Sequence, residues 1–294
     1  MTKIISLSKN AMFKAVFMDN KEMLAVIVKA VLEYCNIVKN FNSKDLIIKT
    51  NELKLNNGHN RQLVCDCIIK VDDNLELNIE INKSNYQGVT ERNMAYIFNI
   101  YYHHFKAGDK YKSFTTYSTI QANFNLFPNA DNETIGMYML LNTNKLEDYL
   151  SKNLRIINID IDCCYKMFYN KNTRKDMLLI EKLGAMFYTE DLEDISKILE
   201  SEKMSSVDKE KFLNDIKEKS KDKDVIEAVK LEETIDYRFE AMRQTGIMQG
   251  IEQGENNKTI EMIENMLKKN LDINTISEIS GKSIKEIKNI AKKI

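Results

Sequence analysis

A single proline and nine glycines in 294 residues leave no room for a collagen-like repeat or a linker-rich chain. Histidine is scarcer still, with three in all, His59, His103 and His104, and none has the spacing of a zinc ligand set. The five cysteines, Cys35, Cys65, Cys67, Cys163 and Cys164, are odd in number and contain no CxxC pair. Disulfide scaffolds and most zinc enzymes are therefore excluded. Cys65 and Cys67 lie in an alternating apolar segment and read as small core residues. No apolar run reaches the length of a membrane span; the best, Met23–Leu32, is short and interrupted by Lys29. Residues 1–17 lack the apolar core of a signal peptide, so the expectation is a cytoplasmic protein without a membrane partner. No GxSxG, GxGxxG or Walker loop occurs, which leaves a sugar or lipid enzyme without a supporting motif.

What is there is enough to fold. Hydrophobic residues make up 43% and charged residues 30%, which excludes global disorder. Basic and acidic residues balance, 43 against 44, so nucleic-acid binding would need a local basic face. The length suits one large domain with an appendage, or two domains.

Apolar residues at three- and four-residue steps predict a helix over 11–36. Strands follow over 46–55, 63–71 and 75–82, joined by turns at 56–58 and 72–74. The last alternates without a fault, Leu75, Leu77, Ile79 and Ile81 on one face, Glu76, Asn78, Glu80 and Asn82 on the other. A helix over 89–106 presents Met94, Ile97, Phe98, Tyr101 and Phe105 as its apolar stripe, with Gly108 as a stop. Further strands are expected over 114–127, 134–141 and 154–161. The expected fold is thus α/β, a mixed sheet with helices packed on it. From about Arg174 the pattern is helical and highly charged.

Gly246, Gly250 and Gly254 recur every fourth residue and share one helix face. That spacing fits either a flexible connector or a close helix–helix contact in a homo-oligomer. Residues 258–294 carry eight lysines and five acidic residues, a net charge of +3. Gly281 ends one short helix and Ser283 to Glu286 forms a capping box for the next. This tail reads equally as a minimal helix-turn-helix, with Lys285, Lys288 and Lys292 near one another, or as a small capping bundle. The expected domains are a core over 1–173, a charged helical region over 174–245, and a glycine-spaced connector with a helical tail over 246–294.

The chemistry-bearing pair is Asp66 and Glu80. With a three-residue turn at 72–74, the two stand directly opposite each other across the hairpin, their Cβ atoms ~4.5–5.5 Å apart. Like charges so placed repel, and a divalent cation removes the objection. Mg²⁺ takes oxygen ligands and is held by one or two carboxylates plus water and phosphate. The same alternation also suits an ordinary strand whose polar face meets solvent. Arg92, Tyr96, Asn99, His103 and Lys106 share one face of the following helix, a face able to follow DNA phosphates or simply to be solvated.

The segments Arg61–Cys67 and Leu77–Asn82, followed by Glu91, Arg92 and Tyr96, resemble the PD-(D/E)XK nuclease family transposases, or Rpn-type recombination-promoting nucleases. Lys9–Lys14 with Phe17 resembles the family's first helix, and Gly250–Glu255 with Met266–Asp272 its usual C-terminus. The resemblance implies a restriction-endonuclease-like mixed sheet flanked by helices, with an α-helical C-terminal region. It implies a Mg²⁺- or Mn²⁺-dependent DNA endonuclease linked to recombination or transposition, with DNA as partner. The motif's two acidic, metal-holding positions fall on Asp66 and Glu80. Its third catalytic position, Lys in the general motif and commonly Gln in this branch, falls on Asn82. Arg92 would hold backbone phosphate, with Tyr96 and Lys106 beside it, and Glu22 is a further acidic candidate from the first helix. A catalytically decayed fold serving as a DNA-binding or oligomeric module is the alternative, because Asn82 carries no charge.

Overall fold

The structure is a computed structural model that describes residues 2–49, 52–54, 62–83, 88–105, 108, 110, 116–129, 133–200 and 204–292. The single helix expected over 11–36 is two, α1 (Asn10–Phe17) and α2 (Lys21–Tyr34). At the break the Asn20 side chain accepts a 3.0 Å hydrogen bond from the Met23 N–H and caps α2. The apolar stripe survives the break, with Phe13, Phe17, Leu24, Ile27, Val28 and Val31 all buried.

The strand expected over 46–55 is also divided. β1 (Ile47–Lys49) joins the main sheet, while β2 (Glu52–Lys54) pairs with β3 (Gln62–Val64) in a separate two-stranded ribbon. A bend at Asp66 separates β3 from β4 (Cys67–Asp72), and β5 covers Leu75–Asn82 as expected. The β4–β5 turn is two residues, Asp73 and Asn74, rather than the three read from the sequence. A bulge at Val71 absorbs the difference. Asp72 pairs with Leu75, yet Lys70 pairs with Glu76 and Cys67 with Ile79, the register that three turn residues would have produced.

From β5 the chain passes through α3 (Val89–His104) to β6 (Ser118–Asn125), then β7 (Ile135–Asn142) and β8 (Lys145–Asp160). The six-stranded open sheet has the order β1-β4-β5-β6-β8-β7. β5, β6 and β8 run parallel and the remaining pairs are antiparallel. The parallel pair β5–β6 needs a crossover, which α3 supplies.

One face of the sheet is apolar. Leu75, Leu77, Ile79, Ile120, Ala122, Phe124, Ile157 and Ile159 pack with α1, α2 and the helices that follow β8. Those are α4 (Ile161–Tyr169), α5 (Lys171–Arg174), α6 (Leu179–Tyr188), α7 (Leu192–Glu200) and α8 (Ser206–Lys219). Phe187 of α6 stacks on Phe124 at 4.3 Å and on Phe17 at 5.6 Å, tying strand and helices together.

α9 (Lys223–Lys268) is a 46-residue helix, followed by α10 (Ile273–Ser280) and α11 (Ile284–Ala291). The chain divides into two compact units, residues 1–229 and 230–294. The sequence-based boundaries at 173 and 245 do not coincide with this division. Ile180, Leu183, Ile195, Phe212, Ile216 and Val229 all belong to the first unit's core, so the charged region cannot be separated from it. Each of these helices buries an apolar side in that core, which composition alone does not reveal. The second unit has its own small core of Ile263, Ile276 and Ile287. Within α9, residues 233–258 are exposed without interruption. Among the described residues no helix is long and apolar enough to cross a membrane.

Candidate active site

The second face of the sheet is polar and buried. Glu76, Asn78, Glu80 and Asn82 of β5 stand beside Thr119, Gln121, Asn123 and Asn125 of β6, each at most 3% exposed. Registers align them in rows: Glu80, Asn123 and Asn158 across β5, β6 and β8, and Asn82, Asn125 and Asp160 one pleat on. Buried amides are costly unless paired, and most of these pair with each other, Asn78 Oδ1 being left without a partner among the described residues. Asn78 Nδ2 donates to Gln121 Oε1 at 3.3 Å, Gln121 Nε2 to Asn123 Oδ1 at 2.9 Å, and Asn123 Nδ2 to Asn158 Oδ1 at 2.8 Å. Glu76 is held by an ion pair with Lys49.

α3 covers this face and explains an inversion of the sequence reading. The expected apolar stripe is only partly the buried one, since Met94 and Phe98 are exposed. Asn93, Tyr96, Asn99 and Ile100 turn inward with Ile97. Arg92 of the helix reaches Asn82 of the sheet, and Tyr96 and Ile100 fill a small cluster with Cys65 and Ile68.

At one end of β5 the two acidic residues interlock. Ile81 N–H donates to Asp66 Oδ2 at 2.8 Å, and Asp66 N–H donates to Glu80 Oε1 at 3.1 Å. Each carboxylate is therefore anchored to the backbone of the other's segment. Asn78 Nδ2 adds a 3.1 Å hydrogen bond to the same Glu80 oxygen. Asp66 lies just outside the β4 ladder, at the bend, and is half-buried, whereas Glu80 is 3% exposed. Burial first and the Asp66 charge second push the Glu80 carboxyl well above the usual carboxylate range, to about 8. Burial, with Asp66 and Glu80 behind it, also pushes the Cys67 thiol up to about 12. This thiol is an inert core group.

Asn82 is 2% exposed and fully engaged. Its Nδ2 donates to Asn125 Oδ1 at 2.9 Å, and its Oδ1 accepts from the Arg92 guanidinium at 2.5 Å. Arg92 also lies over the Tyr96 ring, 5.6 Å from its centroid. Asp66, Glu80, Asn82, Arg92 and Tyr96 are thus one constellation. Lys106 lies outside the described residues. His103 is exposed beside Tyr102, and His104 stacks on Tyr117 at 3.4 Å, so neither stands as a base here. Lys70, on the Asp66 face by parity, is bound to Asp73 at 2.6 Å.

Glu22 lines a different feature. A groove of about 1070 Å³ runs along α2 and residues 36–45, with Lys29, Glu33, Asp45 and Asp208 also on its walls. It contains neither Asp66 nor Glu80. Its mixed charge and polar rim point to no one ligand.

The carboxylate pair fits a hard divalent cation. Two acidic side chains, one of them pushed toward its neutral form by burial and then by the other's charge, gain from a positive charge between them. Among the described residues no group of three or more His, Cys, Asp or Glu side chains could hold a metal. The amide layer on β6 and β8 was not recognised from the sequence. Its signal was present, since Thr119, Gln121, Asn123 and Asn125 alternate with Ile120, Ala122 and Phe124. Alternation ordinarily marks a solvated face, and parallel strands usually read as apolar throughout. No family model, no curated protein and no solved structure matches this chain.

Proposed function

We propose that this chain is a metal-dependent DNA endonuclease with a restriction-endonuclease-like core, acting in recombination or transposition. The observation that carries the reading is the interlocked pair Asp66 and Glu80, each hydrogen-bonded to the other's backbone segment at the end of a central sheet. The order of helix, antiparallel strands, crossover helix and parallel strand supports the same reading, as does the resemblance along Arg61–Tyr96.

Asp66 and Glu80 would hold Mg²⁺ or Mn²⁺. When bound, such an ion supplies a water of lowered pKa and charge stabilisation for a phosphodiester under in-line attack. The chain's own groups do the rest. Asn78 and the Asp66 N–H fix Glu80 in one rotamer. Asp66 and Arg92 are the half-buried members, and of these the cationic Arg92 is the one a backbone phosphate would pair with. The positive charge that the motif's usual lysine would supply is absent at Asn82. Arg92, 2.5 Å from Asn82 Oδ1, returns a permanent cation to that spot. Asn82 then serves to orient Arg92 rather than to carry charge itself.

The second reading, a decayed nuclease fold acting as a DNA-binding or oligomeric module, draws on Asn82 having both ends of its amide committed within the protein. Plasmid nicking in Mg²⁺ separates the two. The wild type should nick, Asp66→Ala and Glu80→Ala should lose activity at least 100-fold, and Arg92→Ala should fall while Arg92→Lys keeps part. Equal cutting by wild type and Asp66→Ala would refute the assignment.

A further inference from the structure

The second unit presents a face that the nuclease reading leaves unused. α10 and α11 are joined by three residues, Gly281, Lys282 and Ser283. Gly281 adopts a left-handed backbone, φ 68°, which a side chain would resist. The turn is fixed at every step. Asp272 caps α10 through the N–H groups of Asn274 and Thr275. Ser277 Oγ donates to the Lys282 carbonyl at 2.7 Å. Ser283 and Glu286 form a reciprocal capping box on α11. Ile287 is fully buried with Ile263 at the end of α9 and Ile276 of α10, and Ile290 packs against them. The last helix is therefore held in a set orientation by its apolar side.

Its other side carries Lys285, Lys288, Asn289 and Lys292, at i, i+3, i+4 and i+7 and all exposed. None of these lysines has an acidic partner among the described residues. Glu286, the acidic residue of this helix, is turned back onto the Ser283 cap. We infer that residues 260–292 form a helix-turn-helix that binds duplex DNA through α11, separately from the Asp66–Glu80 site. An α-helix fits the ~12 Å major groove, where lysines meet phosphates or guanine and an asparagine can bond adenine with both amide atoms. An anionic membrane would need an apolar face free to insert. Here Ile287 and Ile290 are spent on the unit's core, which leaves Ile284 as the exposed large apolar residue of the last helix.

The test uses the full chain in EDTA, so that it is independent of cleavage. Fluorescence anisotropy with a 30-base-pair duplex should give saturable binding that weakens with salt. K285A/K288A/K292A should weaken it at least tenfold near 0.1 M salt. The same variant should reduce the slope of log K against log salt by roughly 2 to 3, at about 0.9 for each phosphate no longer neutralised. K230A/K258A, two lysines off that face, should bind as the wild type does. N289A should keep non-specific affinity but change the sequences recovered by selection from a random pool. Far-ultraviolet circular dichroism checks that all variants stay folded; exposed lysines tolerate such changes. The inference is overturned if the wild type binds no duplex, if the triple variant binds unchanged, or if K230A/K258A loses as much. It is also overturned if phosphatidylserine vesicles, and not DNA, are retained through these lysines. Failure of Asp66→Ala to abolish nicking would leave it untouched.

Discussion

Glu80 is where burial and chemistry meet in one side chain. Its carboxyl is raised to about 8 by burial and by Asp66. A raised carboxyl pKa means that the folded chain binds more protons than the unfolded one between the ordinary carboxylate value and about 8. Its contribution to stability is fully present below that window and is lost as pH rises through it. Thermal melting in EDTA should therefore give a midpoint that falls from about pH 5 to pH 8, and Glu80→Gln should flatten the fall. Millimolar Mg²⁺ should do the same for the wild type and nothing for the variant. A wild-type midpoint that rises over this range in EDTA would show that Glu80 is not the group described. Parity places Asp66 on the Glu80 side only because the bulge at Val71 offsets a turn one residue shorter than the sequence suggests. The locking of each carboxylate by the other's backbone was not legible in the sequence, because it depends on the bend that puts Asp66 outside the ladder.

At the scale of elements, β5 shows what alternation can and cannot reveal. Its span and its two faces follow from the pattern Leu75–Asn82. What the polar face meets does not, because a pattern records the difference between two faces and not their surroundings. The layer of Gln121, Asn123, Asn125 and Asn158 becomes visible only once β5, β6 and β8 are laid side by side. α3 fails in the same way, since Asn93, Tyr96 and Asn99 are buried while Met94 and Phe98 are exposed. In α9, Gly246, Gly250 and Gly254 are helical, and a Cβ at each would meet nothing within 4 Å. Each glycine costs the helix backbone entropy, so Ala at any of them should stabilise it by about 0.5–1 kcal/mol, read from circular dichroism melting. A lowered melting temperature instead would mean that a second helix sits against this stripe, the homo-oligomer packing that the spacing also fits.

The whole molecule is two units whose cores differ greatly in size, dozens of side chains in residues 1–229 against Ile263, Ile276, Ile287 and a few flanking residues in the second. A small core contributes little stability, so the second unit gains proportionally more from its caps at Asp272 and Ser283. The sequence marked those caps by residue type and marked the first unit's helices by periodicity. It could not mark the boundary near 229, because the chain crosses it inside the uninterrupted helix Lys223–Lys268, without proline or a loop.

The bulge at Val71 gives the first unit a place where the chain can shorten by one residue without disturbing the pairing beyond it. It is the extra residue that lets a two-residue bend keep the parity of a longer one. Val71→Ala trims a side chain. Removing Val71 altogether takes out the unpaired residue itself, so Asp72–Leu75, Lys70–Glu76 and Cys67–Ile79 stay partners and Asp66 stays beside Glu80. A single-codon deletion there should therefore keep nicking while lowering the melting temperature, as Val71→Ala does, because both lose the same buried side chain; loss of nicking by the deletion alone would show that the bulge itself is needed. This hairpin is thereby open to loss of a residue at that one place as well as to its replacement.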